Sequence, residues 1–349
     1  MVFSTFLRLL ILTFGTSSLV SCYSIKQAVH FNGLFNSREK ISEVIVEQRY
    51  EARILAKLDS VNEILEFALQ EGLNVGGSYA HYIHIDKKNI SYTVQAAKPL
   101  EMKSKRWWFP FVGSVPYLGF FDKNERDKKA DELKLRYDIN KGIVGGFSSL
   151  GWFDDPILTP MLRRSKGSLA HLLFHELTHR TFWSVGSTRF NENLAEFSAD
   201  IMTEKYLSQN NQTLALEKYR NGKSDKIKFK TWLGSLKTKL SELYKRKDLD
   251  QQSKLLEKER VINEFKENSP QFSSKRYDFV TKKKWNNASI LAFSLYSPNT
   301  DQFMNAYHCS QAKTMGEFLQ KLEDAEDETD DNFKALTYLC LANGKKGQS

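Results

Sequence analysis

His175-Glu176-Leu177-Thr178-His179 is the stretch of this 349-residue chain that decides the fold, because it predicts a helix that binds a metal. Residues four apart share one face of an α-helix, so the two histidines can offer imidazole nitrogens to one Zn²⁺ ion. Glu176 would lie beside them, near a metal-bound water. After a short turn comes Asn191-Glu192-Asn193-Leu194-Ala195-Glu196, where Glu192 is the expected third ligand. Three protein ligands leave one coordination position open, which is typical of a catalytic zinc site.

Both motifs are expected to lie on helices. Apolar residues lead into the first motif, with Ser168 as the predicted N-cap and Gly186 as the predicted end of that helix. A second helix should begin near Phe190 and carry Glu192 and Glu196 on one face, where Glu196 can accept the free N–H of a ligating histidine. The alternative is a surface helix with a chance pattern of histidine and glutamate.

The composition is that of a globular protein, with 41% hydrophobic and 27% charged residues. The net charge of +9 is concentrated between Lys205 and Lys284. A basic excess of this kind indicates a solvated lysine-rich face or contact with an anionic membrane surface. We expect no nucleic-acid partner, because the sequence contains no signature of a nucleic-acid-binding module.

The first 22 residues predict a lipoprotein signal peptide. Arg8 precedes an apolar run from Leu9 to Phe14, and Leu19-Val20-Ser21-Cys22 ends the segment. A small residue before the cysteine, with a leucine three positions before it, resembles a bacterial lipobox, so Cys22 would carry the lipid. The alternatives are an ordinary cleaved secretion signal and a short N-terminal membrane anchor.

Two other cysteines, Cys309 and Cys340, leave two alternatives open. In an exported chain they can form a disulfide, or they can be two buried free thiols. Neither belongs to a closely spaced cluster of cysteines and histidines, so neither is expected to bind zinc.

The remaining pattern predicts a tether, one metal-binding domain and a C-terminal segment. The tether spans 23–40, the domain spans 41–325, and 326–349 forms an acidic link with a C-terminal helix. Within the domain, apolar spacing predicts helices over 41–69, 122–135 and the Lys-rich stretch 213–284, with a further helix from Asn287 to Tyr296. Residues 79–94 predict a β-hairpin, 107–121 an irregular aromatic loop, and 143–150 a strand.

Two resemblances to known families follow from these motifs. The Asn-Glu-x-x-Ala-Glu segment resembles the second zinc-helix signature of the gluzincins, the thermolysin-like metallopeptidases, although the stretch between His179 and Glu192 is shorter than in most of them. The segment from Trp108-Phe109-Pro110 to Gly151-Trp152-Phe153-Asp154-Asp155-Pro156 is similar to a bacterial family of predicted zinc aminopeptidases, many of them lipoproteins. Trp285-Asn286-Asn287-Ala288, with Tyr296 after it, resembles that family's C-terminal signature. The resemblance covers roughly residues 22 to 325.

These observations predict an α+β, zincin-like metallopeptidase, mainly helical, with a small sheet beside the zinc-binding helices. His175, His179 and Glu192 would bind one Zn²⁺, and Glu176 would act as general base on a peptide substrate. Tyr296 or Tyr117 is a candidate phenolic donor to the transition state, although each can instead be a packing residue. We expect an aminopeptidase anchored in the cell envelope and facing the periplasm; the alternatives are a zinc endopeptidase and a non-catalytic lipoprotein that serves as a binding or assembly module.

Overall fold

A computed structural model of the chain describes residues 37–86, 89, 91–109, 113–144, 154–185, 187–294, 300–329 and 331–346. The chain from Glu39 onward forms one compact unit. Its architecture is α+β, mainly helical with small sheets, which confirms the predicted fold class at that level. Cys22, Tyr296, Gly186 and the predicted strand residues 145–150 lie outside the described residues.

Helices make up most of the compact unit. Two 3₁₀ turns, Met161–Arg163 and Lys275–Tyr277, interrupt the loops between them. The helices are α1 (Ile41–Val46), α2 (Ala52–Gln70), α3 (Lys123–Lys134), α4 (Lys166–Thr181), α5 (Thr188–Gln209), α6 (Thr213–Lys245), α7 (Gln251–Glu267), α8 (Phe279–Lys282), α9 (Asn287–Ser294), α10 (Asp301–Ser310), α11 (Met315–Glu326) and α12 (Asn332–Lys346).

The strands form three small sheets in the described part of the chain. In the first, β2 (His81–Ile83) pairs antiparallel with β1 (Glu39–Lys40) and parallel with β8 (Ile157–Leu158). In the second, β3 (Ser91–Ala97) pairs antiparallel with β6 (Leu118–Phe120) and β7 (Asp138–Val144). A hairpin of β4 (Trp107–Phe109) and β5 (Gly113–Val115) is the third.

Two strand predictions are wrong. The expected hairpin over 79–94 does not form, because its two strands belong to different sheets: β2 pairs with β1 and β8, whereas β3 pairs with β6 and β7. The segment 107–121 is not an irregular loop, because it contains β4, β5 and β6. Strand β1 also brings Glu39 and Lys40, from the predicted tether, into the compact unit.

Strand β8 leads through the Met161–Arg163 turn directly into α4. The N-cap of α4 is Ser165, whose Oγ accepts the N–H of Ser168 at 3.3 Å, so the prediction of Ser168 as N-cap is wrong. The prediction that the helix ends at Gly186 is also wrong, because α4 already ends at Thr181. The buried face of α4 packs on α2, where Phe67 and Phe174 have ring centroids 5.7 Å apart. This apolar packing leaves the opposite face of α4 for polar side chains.

The lysine-rich stretch forms the long helices α6 and α7, as its periodicity predicts. Their apolar faces meet in a cluster with Trp285 at its edge, whose ring centroid lies 5.3 Å from that of Trp232. The C-terminal helix α12 packs on α10 and α11, and a disulfide joins Cys309 to Cys340. Among the helices that the structure describes, none combines the length and the apolar character that a membrane crossing requires.

Candidate metal centre

The centre is built from the facing sides of α4 and α5. Helix α4 carries His171, His175 and His179, each one turn after the last, and α5 carries Glu192, Glu196 and Asp200 at the same spacing. A short turn joins the two helices, so they run antiparallel and their polar faces meet in register. Because the helices are antiparallel, the last histidine of α4 faces the first carboxylate of α5. His179 thus faces Glu192, and His171 faces Glu196 and Asp200.

Asn191 fixes the turn between the two helices. Its side chain is buried, and its Oδ1 accepts the N–H of Ser184 at 2.9 Å while its Nδ2 donates to the Ser184 carbonyl at 2.7 Å. The paired bonds satisfy two buried backbone groups with a single side chain. They also hold the start of α5 against the end of α4, which sets how far Glu192 reaches toward the histidines.

His175, His179 and Glu192 have the spacing of a metal site. Glu192 Oε2 lies 3.6 Å from His175 Nε2, and Glu192 Oε1 lies 3.5 Å from His179 Nε2. Ligand atoms about 2.0–2.1 Å from a tetrahedral Zn²⁺ ion are about 3.4 Å apart. His179 is buried and its Nε2 has no hydrogen-bond partner in the described structure, so a cation would supply the partner that this nitrogen lacks. The three residues therefore fit a zinc ion.

The charges in the site favour an ionised Glu192. Burial opposes its charge, but the imidazoles of His175 and His179, at 3.6 and 3.5 Å, outweigh burial and lower the pKa of Glu192 to about 2. Burial likewise opposes the charged form of His175, yet Glu192, Glu176 and Glu196 together raise the His175 pKa above its ordinary value. The carboxylates around His175 therefore favour a positive charge at the site, which a metal cation would supply.

Glu176 has the properties of a proton acceptor beside the ligands. Its Oε2 is buried and has no hydrogen-bond partner in the described structure. A buried carboxylate oxygen without a donor is costly, which makes the atom available to a water or a substrate group that enters the site. On the solvent side, Trp183 is 36% exposed and its ring centroid lies 5.5 Å from that of His179.

A second group, which we call the outer group, consists of His171, Glu196 and Asp200. His171 Nε2 lies 3.4 Å from Asp200 Oδ1 and 3.7 Å from Glu196 Oε1. The three residues offer ligand atoms within 4.8 Å of one another, as do the three residues of the inner site. By spacing alone, the outer group is therefore a second candidate metal site.

Helix α6 supplies cations to the outer group. The Lys226 amino group contacts Glu196 Oε1, and Lys223 Nζ lies 3.5 Å from Asp200 Oδ2. Asp200 also accepts a hydrogen bond from the Tyr219 hydroxyl at 2.6 Å. Burial opposes the charge on Asp200, but His171 and Lys223 hold its pKa at about 2. Both carboxylates already have a lysine partner, Glu196 through Lys226 and Asp200 through Lys223, which Asp200 shares with Glu204. The outer group therefore fits a support for the inner site better than a second metal site.

The structure places the predicted site residues as follows. His175, His179 and Glu192 come together, with Glu176 beside them. Glu196 Oε2 lies 3.9 Å from His175 Nδ1, which is an ion-pair distance rather than a hydrogen bond, so its orienting role stays a prediction. Tyr117 lies just before β6 and is 36% exposed.

Four residues near the ligands escaped the sequence analysis: His171, Asp200, Asn191 and Trp183. The spacing of His171 and Asp200 was a usable signal, because each continues the four-residue repeat of its helix by one turn. Asn191 precedes the predicted ligand, but nothing in the sequence shows that its amide closes the turn. Apart from its position in that turn, nothing in the sequence indicates that Trp183 lies near the ligands.

Comparisons with known proteins place the chain in a family. The model of the family described as "Putative aminopeptidase" matches residues 22–336, which is most of the chain. No curated protein matches the chain, and no solved structure does.

We predict one zinc ion per chain, bound at the inner site. His175→Ala should lose the metal, because two ligands hold zinc much less tightly than three. His171→Ala is the matched control, since it removes an imidazole one turn away on the same helix face and should keep one equivalent. Elemental analysis of the purified proteins measures both. Two zinc ions in the wild type, with one lost in His171→Ala, would show that the outer group binds metal.

Asn191→Ala should weaken zinc binding and lower stability together. It leaves the buried N–H and carbonyl of Ser184 without partners, at a cost of about 1–3 kcal/mol for each group, and it frees the start of α5, so zinc affinity should fall about tenfold. Asn210→Ala is the control, because Asn210 makes a similar bond to the Tyr206 carbonyl at the far end of α5. Zinc titration and thermal unfolding test this. Equal zinc affinity in all three proteins would contradict the role given to Asn191.

Proposed function

Since the chain belongs to the family described as "Putative aminopeptidase", we propose that it is a zinc-dependent aminopeptidase with a zincin-like pair of metal helices. The observation that carries the proposal is the meeting of His175, His179 and Glu192 at metal-ligand spacing, with the unpartnered Glu176 carboxylate beside them. Two imidazoles, one carboxylate and one buried base form the residue set that metal-assisted hydrolysis of an amide requires.

The three ligands define what the bound ion would do. Zn²⁺ held by two histidines and one glutamate lowers the pKa of a water molecule and polarises a carbonyl group. Glu192 keeps its negative charge because its pKa lies near 2, so it remains a ligand throughout the physiological pH range. The buried His179 and the half-buried His175 restrict the ligands to one orientation.

Glu176 carries the proton in the proposed reaction. Its carboxylate accepts a proton from the attacking water, whose oxygen forms a bond to the carbonyl carbon of the peptide. The same residue then returns that proton to the amine nitrogen as the C–N bond breaks, which leaves a free carboxylic acid product and a free amine product. Its Oε2 has no protein partner in the described structure, so the carboxylate is available to the attacking water.

We also propose that the peptidase is fixed to a membrane through a lipid on Cys22 and acts at the periplasmic side of the cell envelope. The support is the apolar segment followed by Leu19-Val20-Ser21-Cys22, which is similar to a lipobox. The compact unit begins at Glu39, so the 16 residues 23–38 separate it from Cys22, and a lipid there would be attached outside the unit that carries the metal centre.

Glu176→Gln and Glu192→Gln should separate the base from the ligand. The first change keeps the size of the side chain but removes the proton acceptor, so zinc should stay bound while peptide hydrolysis falls by at least about 10²-fold. The second replaces an anionic ligand with a neutral amide, so zinc content itself should fall. Rate and metal content must be measured on the same samples. A Glu176→Gln variant as active as the wild type would refute the proposed mechanism.

The choice of peptides for that assay decides between an aminopeptidase and an endopeptidase. An aminopeptidase needs a free α-ammonium group, so peptides with a free N-terminus should be cleaved and their N-acetylated forms should not. Equal cleavage of both forms would favour the zinc endopeptidase. If the zinc-loaded wild type cleaves no member of a peptide library, the binding-module alternative gains support.

Cys22→Ser should release the protein from membranes without changing its fold, because the lipid would lie outside the compact unit. Fractionation of cells that express the wild type and the variant, followed by zinc analysis of the soluble protein, is the measurement. A variant that stays in the membrane fraction as completely as the wild type would contradict the lipid anchor.

A further inference from the structure

The turn before β2 is fastened to the end of the metal helix. Gly76 has a φ of +52°, and a Cβ atom added to it would lie 2.1 Å from Arg180 Nη2. Arg180, the residue after His179, donates to Ser78 Oγ at 3.3 Å. Only a glycine combines this left-handed backbone with such a close approach. The turn is therefore packed against α4 directly behind the metal ligands.

A second set of contacts holds the same turn. Gly77 donates its N–H to Asp154 Oδ1 at 3.2 Å, and Arg180 Nη1 forms an ion pair with the same oxygen at 3.0 Å. A Cβ atom on Gly77 would lie 2.4 Å from Asp154 Oδ2. These bonds link the turn, the segment before β8 and helix α4, so the residue that follows the turn has a fixed position.

That residue is Tyr79, and its conformation is unfavourable in two ways. Its φ is +61°, which a bulky L-residue rarely adopts, and its N–H is held by the Asp155 carbonyl at 2.6 Å. Its side chain is 1% exposed, yet its hydroxyl has no hydrogen-bond partner in the described structure. A strained backbone and a buried unpaired hydroxyl both reduce stability, and such costs concentrate at functional sites.

Glu176 lies on the face of α4 to which the turn before β2 is fastened, because Arg180 follows it by four residues on that helix. Burial, and after it the charges of Glu176 and Asp155, raise the pKa of Tyr79 well above its ordinary value, so the hydroxyl keeps its proton and acts as a donor. Glu176 Oε2 is itself buried without a partner. A buried donor without an acceptor and a buried acceptor without a donor therefore belong to two segments that are fastened together beside the metal ligands.

We propose that Tyr79 is a positioning residue whose phenolic hydroxyl donates through one enclosed water to the Glu176 carboxylate, and so fixes the orientation of the base. The assignment rests on the proposed role of Glu176 in peptide hydrolysis. Tyr79 is too deeply buried to touch a peptide, so it would act through Glu176 and not on the substrate.

The first test is Tyr79→Phe, which removes the hydroxyl and keeps the ring. The kcat for peptide hydrolysis should fall about 10- to 100-fold, the usual range for outer partners of a metal site, while KM and zinc content stay close to the wild-type values. A loss confined to kcat is the expected signature, because substrate and zinc do not contact Tyr79. Wild-type kcat in this variant would overturn the proposal.

Tyr82→Phe is the matched control, because it alters another fully buried tyrosine of the same segment. The Tyr82 hydroxyl has partners, Thr159 Oγ1 at 2.9 Å and His84 Nδ1 at 3.0 Å. Its removal should lower Tm by about 2 °C without changing kcat. Tyr79→Phe should lower Tm by less than Tyr82→Phe does, because the Tyr79 hydroxyl has no direct protein partner in the described structure. If Tyr79→Phe lowers Tm as much as Tyr82→Phe, the hydroxyl is structural and the proposal fails.

A double-mutant cycle then tests the route through Glu176. In a Glu176→Gln background, Tyr79→Phe should cause no further loss of kcat, because the residue it positions no longer acts as a base. A full additional loss in that background would assign the hydroxyl to another partner, such as Asp155, and would overturn the proposal. The Tm comparison can be made without an active enzyme. A wild type that cleaves no peptide would therefore refute the proposed function, while the Tm comparison would still show whether the Tyr79 hydroxyl is structural.

Discussion

The packing of α4 against α5 is the constraint on which the rest of the site depends. Two antiparallel helices joined by a short turn can meet in only a few registers, and the paired bonds of Asn191 to Ser184 select one of them. In that register a four-residue repeat of histidines faces a four-residue repeat of carboxylates. A shift by one turn would place His175 opposite a different acid and separate the three ligands of the inner site.

This register creates an excess of negative charge that the protein balances in two different ways. At the outer group, helix α6 brings Lys223 and Lys226 to Asp200 and Glu196, so the balance is made by the chain itself. At the inner site the described structure shows no lysine or arginine beside Glu192, and the pKa of His175 is raised instead. The difference explains why one of two similar residue groups is suited to a metal ion and the other supports it.

The sequence predicted the parts of the site that depend on local spacing. The helix of His175 and His179 and the helix of Glu192 follow from four-residue repeats, and so does the amphipathic character of α6. The strand pairings could not be predicted in this way, because the pairing of β2 with β1 and β8 is decided by residues far away in the chain. The left-handed backbone of Tyr79 and the closeness of Cys309 to Cys340 depend on tertiary packing in the same way, so no local pattern indicates them.

X-ray absorption spectroscopy at the zinc edge tests the central claim most directly, since it reports the atoms around the metal and not the consequences of losing it. The account predicts nitrogen and oxygen neighbours at about 2.0–2.1 Å, with outer-shell scattering from two imidazole rings. Sulfur at about 2.3 Å would mean that a cysteine binds the ion. Scattering from three imidazole rings would place His171 among the ligands and contradict the division between the inner site and the outer group.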